Sequence, residues 1–393
     1  MTPVGAGSDP AERGPRHAQE SAPQDQIFER YGLDAPGTEE FWAQAQRLTT
    51  PVIVPADDGG WTALFLARAG PARVWFESWS EPVELARVED TDCWAAEVAM
   101  PARLRVTYQL QDDDGGHGDP RNPAVAGPDR SIAATPDAQP QPHWPARGPD
   151  DLAPLPAIRV RWRSERLGGR RTVRVHRPGG LPGPSPAVLL LDGDDWLHLH
   201  PAVTAFDAAV AAGEMPPAAL VFLPTPHDRE TELARELTLW EAVRDELLPL
   251  LAEHDVAIDR EKLVVAGQSY GGLAALRAAV ELPDLVRRVA CQSGSFWWGA
   301  QSPDHTMTGP LGGDTAVRLR GGPDLGGPDL GGLRIAFDVG RHETAMLPHA
   351  ELVEELTAQA GATVRTSRSD SGHDRAGWRH ALVRDVAWAF ADD

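Results

Sequence analysis

Cysteine is scarce in this chain. Cys93 and Cys291 are the only two in 393 residues, and they fall in what reads below as separate domains, so a disulfide framework is not expected and a reducing compartment fits. Basic residues are short relative to acidic ones. Lys and Arg total 37 against 58 Asp and Glu, a formal charge of −21, which argues against nucleic acid and against an anionic membrane surface, since both want a basic face. An anionic substrate stays possible only where arginines gather locally. Long apolar runs are missing too: the N-terminal stretch has no apolar core of signal-peptide length, and nothing later is long enough to span a bilayer. The expected address is the cytoplasm.

What is plentiful points to a globular enzyme of more than one domain. Apolar residues make up 41%, enough for a sizeable core, while Gly 38 and Pro 36 imply long loops and linkers. The length suggests two domains. Residues 1–24 read as disordered, and a helix is expected from Phe28 to Leu48. Four alternating segments, Thr62 to Arg68, Arg73 to Trp79, Cys93 to Val98 and Leu104 to Leu110, follow at hairpin-like spacing and suggest a small β-sandwich. Its Trp61, Trp75, Trp79 and Trp94 read as packing and surface pairs. Asp119-Pro120-Arg121-Asn122-Pro123 and then Pro136 to Pro154 read as an extended connector. The boundary is placed near residue 150, giving a domain of residues 25–150 and a second of 151–393.

Past that boundary, strands alternate with helical segments, the mark of a largely parallel sheet covered on both faces. Ile158 to Trp162 and Thr172 to His176 look like an opening antiparallel pair. Core strands are expected at Val188 to Leu191, Leu220 to Leu223, Leu263 to Ala266, Val289 to Gln292 and Ile335 to Val339, with helices near 202–212, 239–252, 271–281, 346–360 and 377–391. A five-residue doublet, Gly321 to Leu325 and Gly326 to Leu330, reads as a mobile loop.

Gly267-Gln268-Ser269-Tyr270-Gly271 is the motif with chemistry. It places a serine where a buried strand ends and a small-residue helix begins, the setting of a nucleophile on a strained turn. The flanking glycines are expected because a Cβ would collide with the adjacent strand or helix. Such a serine needs a base, a group to orient that base, and donors for the oxyanion. His373, in Asp370-Ser371-Gly372-His373-Asp374 after the last strand, is the best-placed base. His198 and His200 are i, i+2 and lack a third ligand, so a surface role is preferred over a metal pair, and His342 and His349 read as loop or helix-surface residues. For the acid, Glu343 leads, just after the strand ending at Gly340; Asp338, Asp374 or a backbone carbonyl stay open. The oxyanion donors are expected to be the N–H groups of Tyr270 and of Asp194, in the loop Asp192-Gly193-Asp194-Asp195-Trp196. That acidic loop lacks EF-hand spacing. Trp297 and Trp298 read either as core and rim or as aromatic platforms.

Serial motifs then resemble those of the enterochelin esterase family. They are Leu190-Leu191-Asp192-Gly193, Arg235-Glu236-Leu237, Gly267 to Gly272, Gln292 to Trp298, Gly340-Arg341-His342-Glu343, Gly372-His373-Asp374 and Trp378-Arg379, with a looser match through the tryptophan-rich N-terminal half. The resemblance implies an α/β-hydrolase catalytic domain preceded by a β-sandwich that helps enclose a ferric catecholate siderophore. It implies Ser269 as nucleophile, His373 as base, Glu343 as acid, and Arg235 orienting or neutralising the catecholate. Arg341 and Arg379 offer further positive charge. No metal site or cofactor is implied, iron arriving with the substrate. Tyr270 where Phe is common, the acidic Asp194 and Asp195, and the Gly-Pro-Asp doublet depart from the pattern, and they leave the identity of the siderophore open. The alternative readings are an esterase or acyltransferase of the same fold acting on another depsipeptide or thioester, and a non-catalytic binding module.

Overall fold

The computed structural model describes residues 24–68, 70, 72–78, 81–144, 157–179, 181, 183–299, 307–320 and 327–391. The disorder expected before residue 24, Trp79, the first copy of the doublet and the connector from 145 to 154 lie outside the described residues. Among the described residues the chain forms two compact units, one of 24–140 with 370–377, the other of 141–144, 157–369 and 378–391.

In the first unit, helices α1 (Gln24–Arg30) and α2 (Glu39–Leu48) precede strands β1 (Val52–Pro55), β2 (Trp61–Arg68), β3 (Arg73–Phe76), β4 (Val83–Glu84), β5 (Ala86–Arg87), β6 (Cys93–Met100), β7 (Arg105–Asp112), β8 (Gly115–His117) and β9 (Ser131–Ala134). The single helix expected from Phe28 to Leu48 is broken. Gly32 and Gly37 take φ of +68° and +84°, and Thr38 restarts the helix by accepting from the Phe41 N–H at 3.1 Å. Two antiparallel sheets form, ordered β1-β2-β6-β5 and β4-β3-β7-β8 with β9 on β7. Phe65 of β2 meets Phe76 of β3 and Tyr108 of β7 edge-on in the core they share. The other face of β2, Leu64 and Leu66, is covered by Phe28, Phe41 and Trp42.

Asp119 to Pro123 is no connector. The Asp119 carboxylate is buried and accepts from Thr50 Oγ1 at 2.5 Å and the Tyr108 hydroxyl at 3.0 Å, while the Asn122 amide donates to the Ile132 carbonyl at 2.9 Å. The prolines there restrict a loop whose polar side chains are fastened inside the first unit, which a reading of proline content misses.

The second unit holds β10 (Ile158–Ser164), β11 (Gly169–His176), β12 (Ser185–Leu190), β13 (Ala219–Phe222), β14 (Ile258–Gln268), β15 (Arg288–Gln292), β16 (Arg334–Gly340) and β17 (Thr363–Ser369). Their order is β10-β11-β13-β12-β14-β15-β16-β17, parallel from β13 onward and antiparallel at the β10-β11-β13 edge. Helices α3 (Gly193–His198), α4 (Ala202–Ala211), α5 (Thr238–Ala242), α6 (Leu248–Glu253), α7 (Tyr270–Glu281), α8 (Gly313–Leu319), α9 (Leu347–Gln359) and α10 (Arg375–Phe390) connect them. Alternation along a strand divides the side chains between two cores. Ala187 and Leu189 of β12 with Leu263 and Val265 of β14 face α5, α7 and α9, whereas Val188, Leu190, Val264 and Ala266 face α3, α4 and α10. A three-layer α/β architecture results, and it brings the C-terminal ends of β12, β14, β15 and β16 side by side, where such sheets carry ligands.

Candidate active site

Ser269 stands between β14 and α7 with φ +57° and ψ −123°. An L-residue reaches that conformation only when its surroundings impose it. Three backbone bonds do so: the Ser269 N–H donates to the Gln292 carbonyl at 3.1 Å, and its carbonyl accepts from Leu273 and Ser295, each at 3.1 Å. The glycines of the motif are not equivalent. A Cβ on Gly267 would stand 2.2 Å from the Gly271 carbonyl oxygen, whereas one on Gly271 would meet nothing nearer than Leu191 Cβ at 3.4 Å, an ordinary contact. Steric need therefore falls on Gly267 and on Gly272, whose Cβ would come 3.0 Å from Cys291 Sγ. Ser269 Oγ lies 3.2 Å from Ser295 Oγ, a neighbour that the motif alone does not announce.

Beneath the turn runs a buried polar network. The Trp196 indole donates to Gln268 Oε1, Gln268 Nε2 to Gln292 Oε1, and Gln292 Nε2 to the Trp378 carbonyl, each at 2.8 Å. The Trp378 indole donates to Ser293 Oγ at 2.8 Å, and Ser293 Oγ donates to Glu343 Oε1 at 2.6 Å, which also accepts the Gly340 N–H at 2.8 Å. Every group named is satisfied, as buried polar atoms must be. Glu343 is thus an ordered, buried carboxylate held at the end of β16. Asp338 is committed to the fold instead: it is fully buried, accepts from Ser367 Oγ at 2.6 Å and Ser369 Oγ at 2.8 Å, and faces Arg384 at 3.4 Å.

His373 is half-buried in the 370–377 segment, which packs with the first unit. Its neighbour Asp374 is fully buried there, and its carboxylate accepts the Thr107 N–H at 2.6 Å, the Thr107 hydroxyl at 2.9 Å and the Ala376 N–H at 2.6 Å. Burial nonetheless pushes the Asp374 carboxyl above its ordinary range.

Comparison with known proteins bears on what this geometry serves. The Esterase family model matches residues 164–389. The iron(III) enterobactin esterase of Dickeya dadantii is 30% identical, covering 91% of this chain and 94% of its own length. The chain belongs to the enterochelin esterase family. It is a carboxylic ester hydrolase. Two solved members superpose on it: an enterobactin esterase of Shigella flexneri, solved in the presence of enterobactin, with TM-score 0.77 and 26% identity over 90% of this chain and 98% of its own, and the ferric enterobactin esterase of Salmonella typhimurium, with TM-score 0.77 and 25% identity over 90% and 98%.

In this chain the stretch after β12 is a short helix, α3, entered through Asp192 with φ +49°. Asp194 therefore lies in the first turn, and its N–H has no partner among the described residues. The Asp192 carboxylate is neutralised by Arg229, whose Nε and Nη2 reach its two oxygens at 3.0 and 2.6 Å. The same guanidinium lies 5.8 Å from the Tyr270 ring centroid. Arg229 escaped the sequence reading because only the fold brings it to the acidic loop. Tyr270 and Trp297 rings are 5.9 Å apart, and both adjacent tryptophans are buried. Burial and the Glu230 charge raise the Tyr270 phenol, against Arg229 and Arg235.

Arg235 ends a π-helical turn, Glu230–Arg235, pairs with Glu230 at 2.5 Å, and lies 5.7 Å from the Trp298 ring. With Trp298, Arg277, Arg318, Asp314 and Leu273 it lines a cavity of about 670 Å³. Leu273 is the residue whose N–H caps the Ser269 carbonyl, so this cavity begins one turn of α7 beyond the serine. Arg341 is exposed after β16.

Three expectations about cationic and imidazole groups are corrected. His200 is buried, with Nδ1 accepting both Nε and Nη2 of Arg379. Arg379, stacked 5.4 Å from the Trp144 centroid, is thereby committed to the interior of the second unit. His349 is buried too: its Nδ1 accepts the Gly312 N–H at 3.1 Å and its Nε2 lies 3.1 Å from the Met307 carbonyl. Aromatic and backbone partners distant in sequence draw these groups inward, which local polarity does not reveal.

Proposed function

We propose that this esterase hydrolyses the ester bonds of a catecholate siderophore trilactone of the enterobactin type, supplied with its iron, through an acyl-enzyme on Ser269. The observation that carries the reading is the strained φ of +57° at Ser269, between a buried strand and a helix, held by backbone bonds with Gln292, Leu273 and Ser295. The names of the relatives supply the substrate class: an iron(III) enterobactin esterase at 30% identity and a structure solved in the presence of enterobactin.

In this scheme Ser269 Oγ attacks a lactone carbonyl while His373 takes its proton. The oxyanion is received by the N–H groups of Tyr270 and Asp194, each such donor contributing about 3 kcal/mol to the transition state. The lactone C–O bond breaks, and His373 returns the proton to the departing alkoxide. Water, deprotonated by the same imidazole, then cleaves the acyl-enzyme and frees Ser269. Glu343 is the proposed acid. Support comes from its burial and its fixed place after β16, whereas the oxygens of Asp338 are taken by β17 hydroxyls and those of Asp374 by Thr107 and Ala376. Trp298 and Arg235 offer an aromatic face and a cation to a catecholate ring, with Trp297 and Arg341 assigned supporting contacts.

Chromatographic analysis of a ferric catecholate trilactone incubated with the protein tests the proposal. Ester cleavage products are expected from the parent and none above background from Ser269→Ala. Equal turnover by the two would end it.

A further inference from the structure

The segment bearing His373 is fastened to the first unit on both sides of the imidazole. Before it, Arg103 Nε donates to Asp370 Oδ2 at 2.7 Å, and Gly372 lies so close to Ser78 that a Cβ would stand 2.5 Å from Ser78 Cβ. After it, Asp374 receives both donors of Thr107 on β7, Arg375 reaches Glu77 Oε1 at 3.4 Å, and Ala376 packs with Ala126 and Ile132. Thr107 and Asp374 are 267 positions apart.

We infer that Thr107 and Glu77, both in the β-sandwich unit, are positioning residues for the base: Thr107 fixes the backbone at His373 through Asp374, and Glu77 does so through Arg375. The inference rests on the reading of His373 as base and gives the N-terminal unit a part in the chemistry besides any enclosure of substrate.

Two observations carry it. Asp374 is fully buried, and a buried carboxylate keeps its charge only while its donors stay in place, so its three hydrogen bonds prescribe one backbone path for the residue beside it. Glu77 is shared between Arg375 and Arg130, the latter at 3.8 Å. Burial, then the Asp374 charge, push its carboxyl up to about 7, with Arg375, Arg130 and His373 pulling the other way.

Four variants test this with kcat and KM on a catecholate trilactone. Thr107→Val keeps the shape and removes the hydroxyl donor. It is expected to lower kcat about 10- to 100-fold, the scale of a small misplacement of a reacting group, with KM within about twofold, and Thr107→Ser is expected to restore most of the loss. Glu77→Gln removes the carboxylate that holds Arg375 and is expected to lower kcat about 10-fold with KM within about twofold. His373→Ala is expected to abolish turnover. If His373→Ala is inactive while Thr107→Val keeps the parent kcat, or while Thr107→Ser fails to rescue it, the positioning role is overturned and the base assignment stands. If His373→Ala retains the parent rate, the base assignment itself fails and takes this inference with it. Should Thr107→Val not fold, Glu77→Gln decides: a lowered kcat at an unchanged KM supports the role, and the parent kcat overturns it.

Discussion

Gly267→Ala and Gly271→Ala change the same atom count four residues apart and should behave oppositely. At Gly267 the added methyl would lie 2.2 Å from the Gly271 carbonyl oxygen and 2.4 Å from its carbon, roughly 1 Å inside contact distance. Neither side can yield easily, because Ala266 and Ala274 are at most 1% exposed. Overpacking of this kind costs about 1–3 kcal/mol, or roughly 2–12 °C in Tm for a domain of this size. Moving the Ser269 turn by a comparable distance should slow acylation about 10²-fold. At Gly271 the methyl reaches Leu191 Cβ at 3.4 Å, so the substitution should leave Tm unchanged or raise it by the equivalent of up to about 1 kcal/mol from helix propensity. The assay is thermal unfolding of both variants together with the rate of fluorophosphonate labelling. A Gly267→Ala protein that melts and labels like the parent would refute the steric account of the motif.

Three further outcomes follow from the second unit. Asp385 is fully buried, Oδ2 has no partner among the described residues, and burial pushes its carboxyl up to about 7 despite Arg384. A raised acid pKa gives stability that is complete below the ordinary Asp range and lost as pH rises through about 7. Asp385→Asn should therefore gain in Tm over the parent as pH climbs from 5 to 8; a pH-independent gap would contradict this. Glu343→Gln should lower kcat about 10²- to 10⁴-fold, whereas Asp338→Asn should act on Tm; steady-state kinetics with the losses reversed would reassign the acid. Arg229→Met leaves the 2%-exposed Asp192 side chain unpaired, but the arginine is itself 32% exposed. A loss of about 1–3 kcal/mol is expected, discounted from the cost of breaking a wholly buried pair, and Asp192→Asn in the same chain should recover it by thermal melts.

Much of the second unit was legible because its core strands are short apolar runs closed by glycine or polar residues, as at Leu263 to Ala266 before Gly267. Helix α3 was not, since Gly-Asp-Asp-Trp carries no apolar period and its start depends on a left-handed Asp192 and on a 2.6 Å bond from the Gly193 N–H to the Leu223 carbonyl. Gln268 and Gln292 look polar in sequence, yet they are 3% and 0% exposed because each answers the other. The fastening of Asp374 to Thr107 was equally out of reach: a local pattern locates a histidine after a strand and says nothing of a partner 267 residues away.

Quenching the parent protein with acid during its first turnover of a catecholate trilactone, and mapping the modified peptide by mass spectrometry, is the decisive experiment. A siderophore-derived acyl group on Ser269 is expected. An acyl group on any other residue, or trilactone hydrolysis that persists undiminished in Ser269→Ala, would contradict it.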